Sequence, residues 1–209
     1  MFMDAKEGPC FSAEDVQVLE KTVVYQGFFR MCRYRLKHRL IEGGWSKVLT
    51  RECFDRGPAV AVLLYDPYKD AVVLVEQFRI GALESPASPW QLELVAGIVE
   101  EGESPEDVIH REAVEEAGSD VLELEYIAEY YPSPGGSNEK LFLYCGGIDS
   151  TGLGGVHGLK EEGEDIWVQV FSRQEAWNIL QENYINNAAT IIALQWLQMN
   201  YQRLQEKWQ

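Results

Sequence analysis

The chain has 209 residues, of which 46% are hydrophobic and 25% are charged, and its formal net charge is −16 at pH 7. This composition is typical of a globular protein with one large domain or a domain plus an attachment. The negative charge disfavours nucleic acid and anionic membranes as partners, and no apolar stretch is long enough to span a membrane. The four cysteines form no CxxC pair and the N-terminus does not resemble a signal peptide, so we expect a cytoplasmic protein.

The N-terminal part of the chain has the pattern of antiparallel strands. Residues 15–40 are rich in Val, Tyr, Phe and Arg, and residues 47–54 alternate between apolar and polar side chains. The pattern breaks at the turn-forming sequence of residues 55–58. We therefore predict a small N-terminal β-sheet domain over residues 1–56 and a main domain over residues 57–209.

The main domain mixes strands and helices. Two apolar runs, residues 59–65 and 71–75, are joined by a proline-containing turn and predict a hairpin that is buried on both faces and covered by helices. Further strands are predicted over residues 90–95, 121–131, 140–145 and 166–171. Helices are predicted after Ser104, after Ser172 and from about Ala188, with Gly118 ending the first. The fold class is therefore α/β with a mixed sheet.

The first of these helices concentrates negative charge on one side. Residues 97–118 read GIVEEGESPEDVIHREAVEEAG, and on a helix Glu112, Glu115 and Glu116 fall within an arc of about 100°. Like charges at these spacings destabilise a helix by about 0.2–0.5 kcal/mol per pair, so local stability does not explain them. A solvated acidic face is one interpretation. A site for a hard divalent cation, Mg²⁺ or Mn²⁺, is the other.

The spacing of this segment resembles the Nudix box, GX5EX7REUXEEXGU. Gly97 is followed after five residues by Glu103 and after seven more by the run REAVEEAG of residues 111–118; Ser119 replaces the final aliphatic residue. The resemblance implies a Nudix α/β/α sandwich with a mixed sheet. It also implies metal ligation by Glu112 and Glu116 with the carbonyl of Ala96. Structural support would come from three residues of the box, Gly97, Glu103 and Arg111, with Arg111 paired to Glu103. From helix geometry we expect Arg111 to point to another side of the helix, so that it cannot neutralise all three glutamates.

Similarity to one branch of the family, the ADP-ribose pyrophosphatases, extends over nearly the whole chain. The loop of residues 131–139, YPSPGGSNE, follows the box at the position typical of that branch. An acidic loop, residues 157–165, would close over the substrate after a glycine-rich flexible hinge. By position Glu162 resembles the general base and Glu164 a further metal ligand, while Glu115 is the rival base.

The same resemblance implies a set of substrate-binding residues. Guanidinium groups suit phosphate and ribose recognition, and two neighbouring aromatic residues in a strand would offer one ring to adenine. The loop after the box would line the terminal ribose. The residues are Phe28, Phe29, Arg51, Glu52, Arg56, Arg79, Ser133, Gly135 and Glu139. An exchange of N-terminal sheets would make the protein a homodimer.

The implied reaction is Mg²⁺-dependent hydrolysis of the pyrophosphate bond of ADP-ribose, which gives AMP and ribose 5-phosphate. Two alternatives stay open: another nucleotide-sugar pyrophosphatase, for instance one acting on a GDP-sugar, and a non-catalytic ADP-ribose sensor. Sensors typically lose box carboxylates, whereas Glu112, Glu115 and Glu116 are all present here.

Overall fold

The computed structural model describes residues 11–209, except for the side chain of Glu162. The chain divides into two compact units. The first contains the residues up to Arg56 and the loop Ser133–Glu139, and the second contains Gly57–Pro132 and Lys140–Gln209.

The first unit is a three-stranded antiparallel sheet. Its strands, in the order β1-β2-β3, are β1 (Val16–Gln26), β2 (Arg30–His38) and β3 (Leu49–Asp55), after a 3₁₀ turn at Ala13–Asp15. The expectation that Phe28 and Phe29 lie in a strand is wrong. They form the β1–β2 turn, which the amide of Gly27 closes by donating to the carbonyl of Phe29 at 2.9 Å.

The second unit contains a mixed sheet with the order β10-β11-β5-β4-β9-β8, in which β6 also pairs with β5 and β7 with β4. The β4–β9 pair is parallel and the other pairs are antiparallel. The strands are β4 (Pro58–Asp66), β5 (Ala71–Phe78), β6 (Trp90–Glu93), β7 (Val95–Ile98), β8 (Glu123–Tyr130), β9 (Lys140–Gly147), β10 (Gly155–His157) and β11 (Ile166–Ser172). Strand β10 lies in the glycine-rich stretch that we expected to be only a flexible hinge.

Helices cover both faces of this sheet. The helices are α1 (Pro105–Ala117), α2 (Arg173–Gln181) and α3 (Ala188–Trp208), and 3₁₀ turns lie at Ile80–Ala82 and Lys160–Glu162. One apolar cluster joins the sheet to α1, and a second joins its other face to α2 and α3. The predicted α/β/α sandwich with a mixed sheet is therefore confirmed. Among the described residues, no helix is both long and apolar enough to cross a membrane.

Helix α1 begins and ends where the sequence predicts. The side chain of Ser104 accepts a hydrogen bond from the amide of Asp107, and Pro105 occupies the first turn. Gly118 ends the helix in the left-handed region at φ 63°. These caps set the two ends of α1. The candidate site lies where α1 packs against strand β7.

Candidate functional site

Glu112 lies directly against strand β7 at Gly97. A Cβ atom built on Gly97 would be 2.4 Å from Oε1 of Glu112 and 2.6 Å from its Cγ. Only glycine leaves room for this carboxylate, whose side chain is 14% exposed. A side chain at position 97 would displace Glu112, a candidate metal ligand, which gives a steric reason for the glycine of the box.

Glu116, one turn further along α1, is buried with 3% exposure. Its Oε2 accepts a hydrogen bond from the amide of Ala96 at 3.1 Å. The pKa of Glu116 is raised to about 8, chiefly by burial; the charges of Glu112 and Glu164 contribute to the rise, and the Ala96 amide and Arg79 oppose it. A buried carboxylate that also feels the charges of two others is a group that a cation would stabilise strongly.

The backbone of Ala96 is oriented towards this cluster. The amide of Val99 donates to the carbonyl of Pro58 at 3.1 Å, and hydrogen-bonded pairs alternate along an antiparallel ladder. Ala96, which lies opposite Ala61, is therefore in a non-hydrogen-bonded pair. Its N–H and C=O both point away from β4, so the carbonyl is free of the ladder and can act as a ligand.

Arg111 contacts more of the carboxylates of the box than we expected. Its guanidinium lies 3.5 Å from Glu103, as predicted, but also 2.9 Å from Glu112 and 3.9 Å from Glu115. The expectation that it points to another side of the helix is wrong, because a long arginine side chain can reach along the helix as well as outward. No ion pair with Glu116 is present among the described contacts, so the buried carboxylate depends on other partners.

The acidic loop attaches to the C-terminal end of α1. The amide of Gly158 donates to the carbonyl of Glu115 at 3.3 Å, and the ring of His157 lies where a Cβ on Gly118 would be 2.8 Å from Cε1. Oε2 of Glu164 accepts from the amide of Leu159 at 2.9 Å. The backbone of Glu162 ends the 3₁₀ turn, and its side chain lies outside the described part of the structure.

Arg79 follows strand β5 and joins this cluster from the sheet. Its Nε donates to Oε2 of Glu93 at 2.7 Å. Its positive charge opposes the rise in the pKa of Glu116, the buried candidate ligand on α1.

The other predicted substrate-binding residues belong to the first unit. Arg56 forms an ion pair with Glu139, and its guanidinium lies 5.7 Å from the ring centroid of Phe29. Phe29 in turn contacts Phe28 edge-on at 4.7 Å, and Phe28 is 87% exposed. This group therefore combines an exposed aromatic ring with a paired arginine.

Two parts of the predicted set lie beside this group. Ser133 and Gly135 are in the turn before Glu139, where the carbonyl of Ser133 accepts from the amide of Gly136 at 3.2 Å. Arg51 and Glu52 lie next to each other on β3 and so face opposite sides of the sheet. Glu52 pairs with Arg33 at 3.1 Å, and no described contact links Arg51 or Glu52 to Phe29.

The oxygen donors of the second unit fit a hard divalent cation. Carboxylates of Glu112, Glu116 and Glu164 and the carbonyl of Ala96 are the ligand types that Mg²⁺ and Mn²⁺ prefer. In the described part of the chain, no three His, Cys, Asp or Glu side chains are already gathered around one point. Each carboxylate has a protein partner instead, so small side-chain rotations would have to accompany cation binding.

Comparisons with known proteins agree with this geometry. Residues 55–194 match the NUDIX domain. An ADP-ribose pyrophosphatase of Haemophilus influenzae is 49% identical over 201 residues, which cover 95% of this chain and 93% of that protein. A GDP-mannose pyrophosphatase of Pectobacterium atrosepticum is 33% identical over 181 residues, which cover 86% of this chain and 92% of that protein.

A solved structure described as an ADP compounds hydrolase shares the fold. Its TM-score is 0.66 at 19% identity, and the match covers 91% of this chain and 98% of that chain. Together the matching domain and the relatives show that this chain belongs to the Nudix family. It is a Nudix hydrolase, and members of that family generally need a divalent metal.

One residue of the site has no role in the sequence analysis. Glu93 ends strand β6 and binds Arg79, yet the sequence shows only a carboxylate at the end of an alternating strand. The signal that could have found it is the adjacency of this carboxylate to the box glycine, four residues further on.

Proposed function

We propose that the chain hydrolyses the pyrophosphate bond of ADP-ribose to AMP and ribose 5-phosphate with Mg²⁺ as the cation. The observation that carries this proposal is the buried carboxylate of Glu116 on the Ala96 amide, with Glu112 one turn away and Glu164 nearby. The relative from Haemophilus influenzae named for this substrate supports the choice of ADP-ribose.

The charge of the substrate explains why these residues need a cation. Two like unit charges about 4 Å apart repel by about 4 kcal/mol at an effective dielectric near 20, so carboxylates alone would repel a diphosphate. A bound divalent cation supplies charge neutralisation and polarises the phosphoryl oxygens. Glu112, Glu116, Glu164 and the carbonyl of Ala96 would hold it.

The remaining residues have complementary roles in this proposal. Glu162 takes the proton of the water that attacks phosphorus, with Glu115 as the rival base. The exposed ring of Phe28 or that of Phe29 stacks on adenine, and the arginines bind phosphate and ribose oxygens. Arg51, Glu52, Arg56, Arg79, Ser133, Gly135 and Glu139 complete the substrate-binding set.

Product analysis tests the reaction. The chain is incubated with ADP-ribose or GDP-mannose, with Mg²⁺ or with a chelator, and products are separated by chromatography. We expect AMP and ribose 5-phosphate only when Mg²⁺ is present, and a lower kcat/KM for GDP-mannose. Preference for GDP-mannose would support the alternative suggested by the second relative, and binding of ADP-ribose without turnover would support a sensor. Glu162→Gln and Glu115→Gln, compared by kcat, identify the base.

We also propose a cytoplasmic homodimer in which residues 1–56 form the dimerisation domain. All eleven residues of β1 are exposed, and they include Val18, Val23 and Tyr25 on an edge strand. Exposed apolar edge strands favour pairing with another chain. Light scattering coupled to gel filtration should give twice the chain mass of 23.8 kDa, and a monomer at micromolar concentration would contradict the proposal.

A further inference from the structure

Arg79 is the candidate substrate-binding residue that lies in the second unit, and it forms an ion pair with Glu93. Nε of Arg79 donates to Oε2 of Glu93 at 2.7 Å. The carboxylate is well covered, with 16% of the Glu93 side chain exposed, whereas 44% of the Arg79 side chain is exposed. The fixed partner is therefore the glutamate, and the arginine extends from it towards solvent.

The register of β5 and β6 shows how this pair is held. Glu93 lies opposite Val75 and Gln91 lies opposite Gln77, so Arg79 is four residues beyond the partner of Glu93 on the same face. Four residues of strand span about 13 Å, and the two side chains must therefore reach towards each other along the sheet. Gln77 and Gln91, which form the intervening pair on the same face, are 7% and 9% exposed. This face is the one that packs against α1.

The hydrogen bond to Glu93 uses Nε of the Arg79 guanidinium and leaves its two terminal nitrogen atoms available for another acceptor. Glu93 binds Nε, and in the described part of the chain no hydrogen bond or ion pair engages Nη1 or Nη2 of Arg79. Arg79 also extends from the face of the sheet that packs against α1, the helix that carries Glu112 and Glu116. An arginine held through Nε presents its two terminal amino groups as a fixed fork, which matches phosphate oxygens.

We propose that Glu93 is a positioning residue. It holds Arg79 so that the terminal amino groups of the arginine bind an oxygen of the substrate diphosphate beside Glu112 and Glu116 of α1. The inference rests on the proposed function, since it takes Arg79 as a substrate-binding residue. Its physical basis is preorganisation: an arginine already fixed by Glu93 loses less side-chain freedom when it binds the anion.

The test is a double-mutant cycle on Glu93→Gln and Arg79→Ala. The glutamine keeps the size and the backbone pairing of β6, but it replaces the ionised acceptor by a neutral amide oxygen and so removes the attraction between opposite charges. We expect Glu93→Gln alone to raise KM for ADP-ribose by about tenfold with kcat within about twofold of the parent. In the Arg79→Ala background the same change should alter KM by less than about twofold.

Glu125→Gln is the matched control. Glu125 is also a strand carboxylate, its side chain is 18% exposed, and it binds Arg203 at 2.5 Å and Lys207 at 3.0 Å on α3. Its loss should leave KM unchanged. An unchanged KM in Glu93→Gln, or an equal rise of KM in both arginine backgrounds, would overturn the positioning role.

Two further measurements separate this inference from its premises. Calorimetric binding of inorganic pyrophosphate with Mg²⁺ should show the same non-additive pattern without any turnover. Should the parent fail to hydrolyse ADP-ribose, the proposed function is lost while the pyrophosphate cycle still decides on Glu93. Arg79→Lys keeps the charge but cannot bind Glu93 and an oxyanion through one planar fork, so an unchanged KM in that variant would also overturn the inference.

Discussion

Replacing Gly97 by alanine should lower kcat by about 100-fold while leaving the fold almost as stable as before. The new methyl group would lie 2.4 Å, 2.6 Å and 2.7 Å from Oε1, Cγ and Cδ of Glu112. Non-bonded carbon contacts are normally about 3.5–4 Å, so the Glu112 side chain must move by about 1 Å. Gly97 is absent from the residues with positive φ, so its backbone accepts alanine without strain.

The two effects differ in size. Alanine in place of a strand glycine gains about 0.5–1 kcal/mol, and the half-exposed bond from Arg111 to Glu112 is worth about 0–1 kcal/mol. The free energy of unfolding should therefore change by less than about 1 kcal/mol, which is a shift in Tm of less than about 4 °C for a chain of this length. A displacement of about 1 Å in a catalytic constellation costs about 100-fold in rate.

The assay combines kcat at saturating ADP-ribose, a Mg²⁺ titration and thermal unfolding. We expect kcat to fall by about 100-fold and the Mg²⁺ concentration for half activation to rise, with Tm nearly unchanged. Gly81→Ala is the control, because a Cβ there meets no atom within 4 Å and its φ is not positive. Parent-like turnover in Gly97→Ala would refute the link between this glycine and the position of Glu112.

Two further predictions concern stability. Gly118→Ala should lower the free energy of unfolding by about 1–2 kcal/mol, because φ is 63° and the methyl would lie 2.8 Å from Cε1 of His157; chemical denaturation measures it, and an unchanged midpoint would contradict it. Burial alone would raise the pKa of Asp66, but hydrogen bonds from Ser150 and Lys69 hold it below the ordinary value. Its folded pKa is thus depressed, so its stabilisation is present above the unfolded pKa and lost as pH falls through the folded one. Unfolding measured at pH 7 and at about pH 3 should show a smaller acid-induced loss in Asp66→Asn than in the parent, and equal losses would count against it.

Local signals predict the carboxylate helix well. Ser104, Pro105 and Gly118 are capping residues whose effects depend on their immediate neighbours, and all three act as the sequence indicates. The box spacing likewise predicts the proximity of Gly97 to α1. What spacing does not predict is that Arg111 bonds Glu112, because a long side chain chooses among several acceptors within reach.

Two segments differ from their sequence-based predictions because hydrogen bonds that the residue types do not predict determine their structure. Aromatic residues favour strands, yet Phe28 and Phe29 form a turn because the bond from Gly27 to the Phe29 carbonyl reverses the chain. Strand β10 has only three residues, and its pairing with β11 is supplied by a segment nine residues or more away. A short stretch of sequence around these glycines does not include β11, the strand with which β10 pairs.

The pairing register of β7 with β4 positions Ala96 and Gly97 against the candidate metal ligands of α1. Ala96 can donate to Glu116 only because it lies in a non-hydrogen-bonded pair with Ala61, and Gly97 meets Glu112 only in the same register. A slip of one residue would turn the Ala96 amide into the ladder and put a side chain against Glu112. Val95 of β7, which is fully buried opposite Val62, resists such a slip because the slip would exchange the faces of β7. The burial of Val95 therefore helps to set where Ala96 and Gly97 meet the candidate metal ligands of α1.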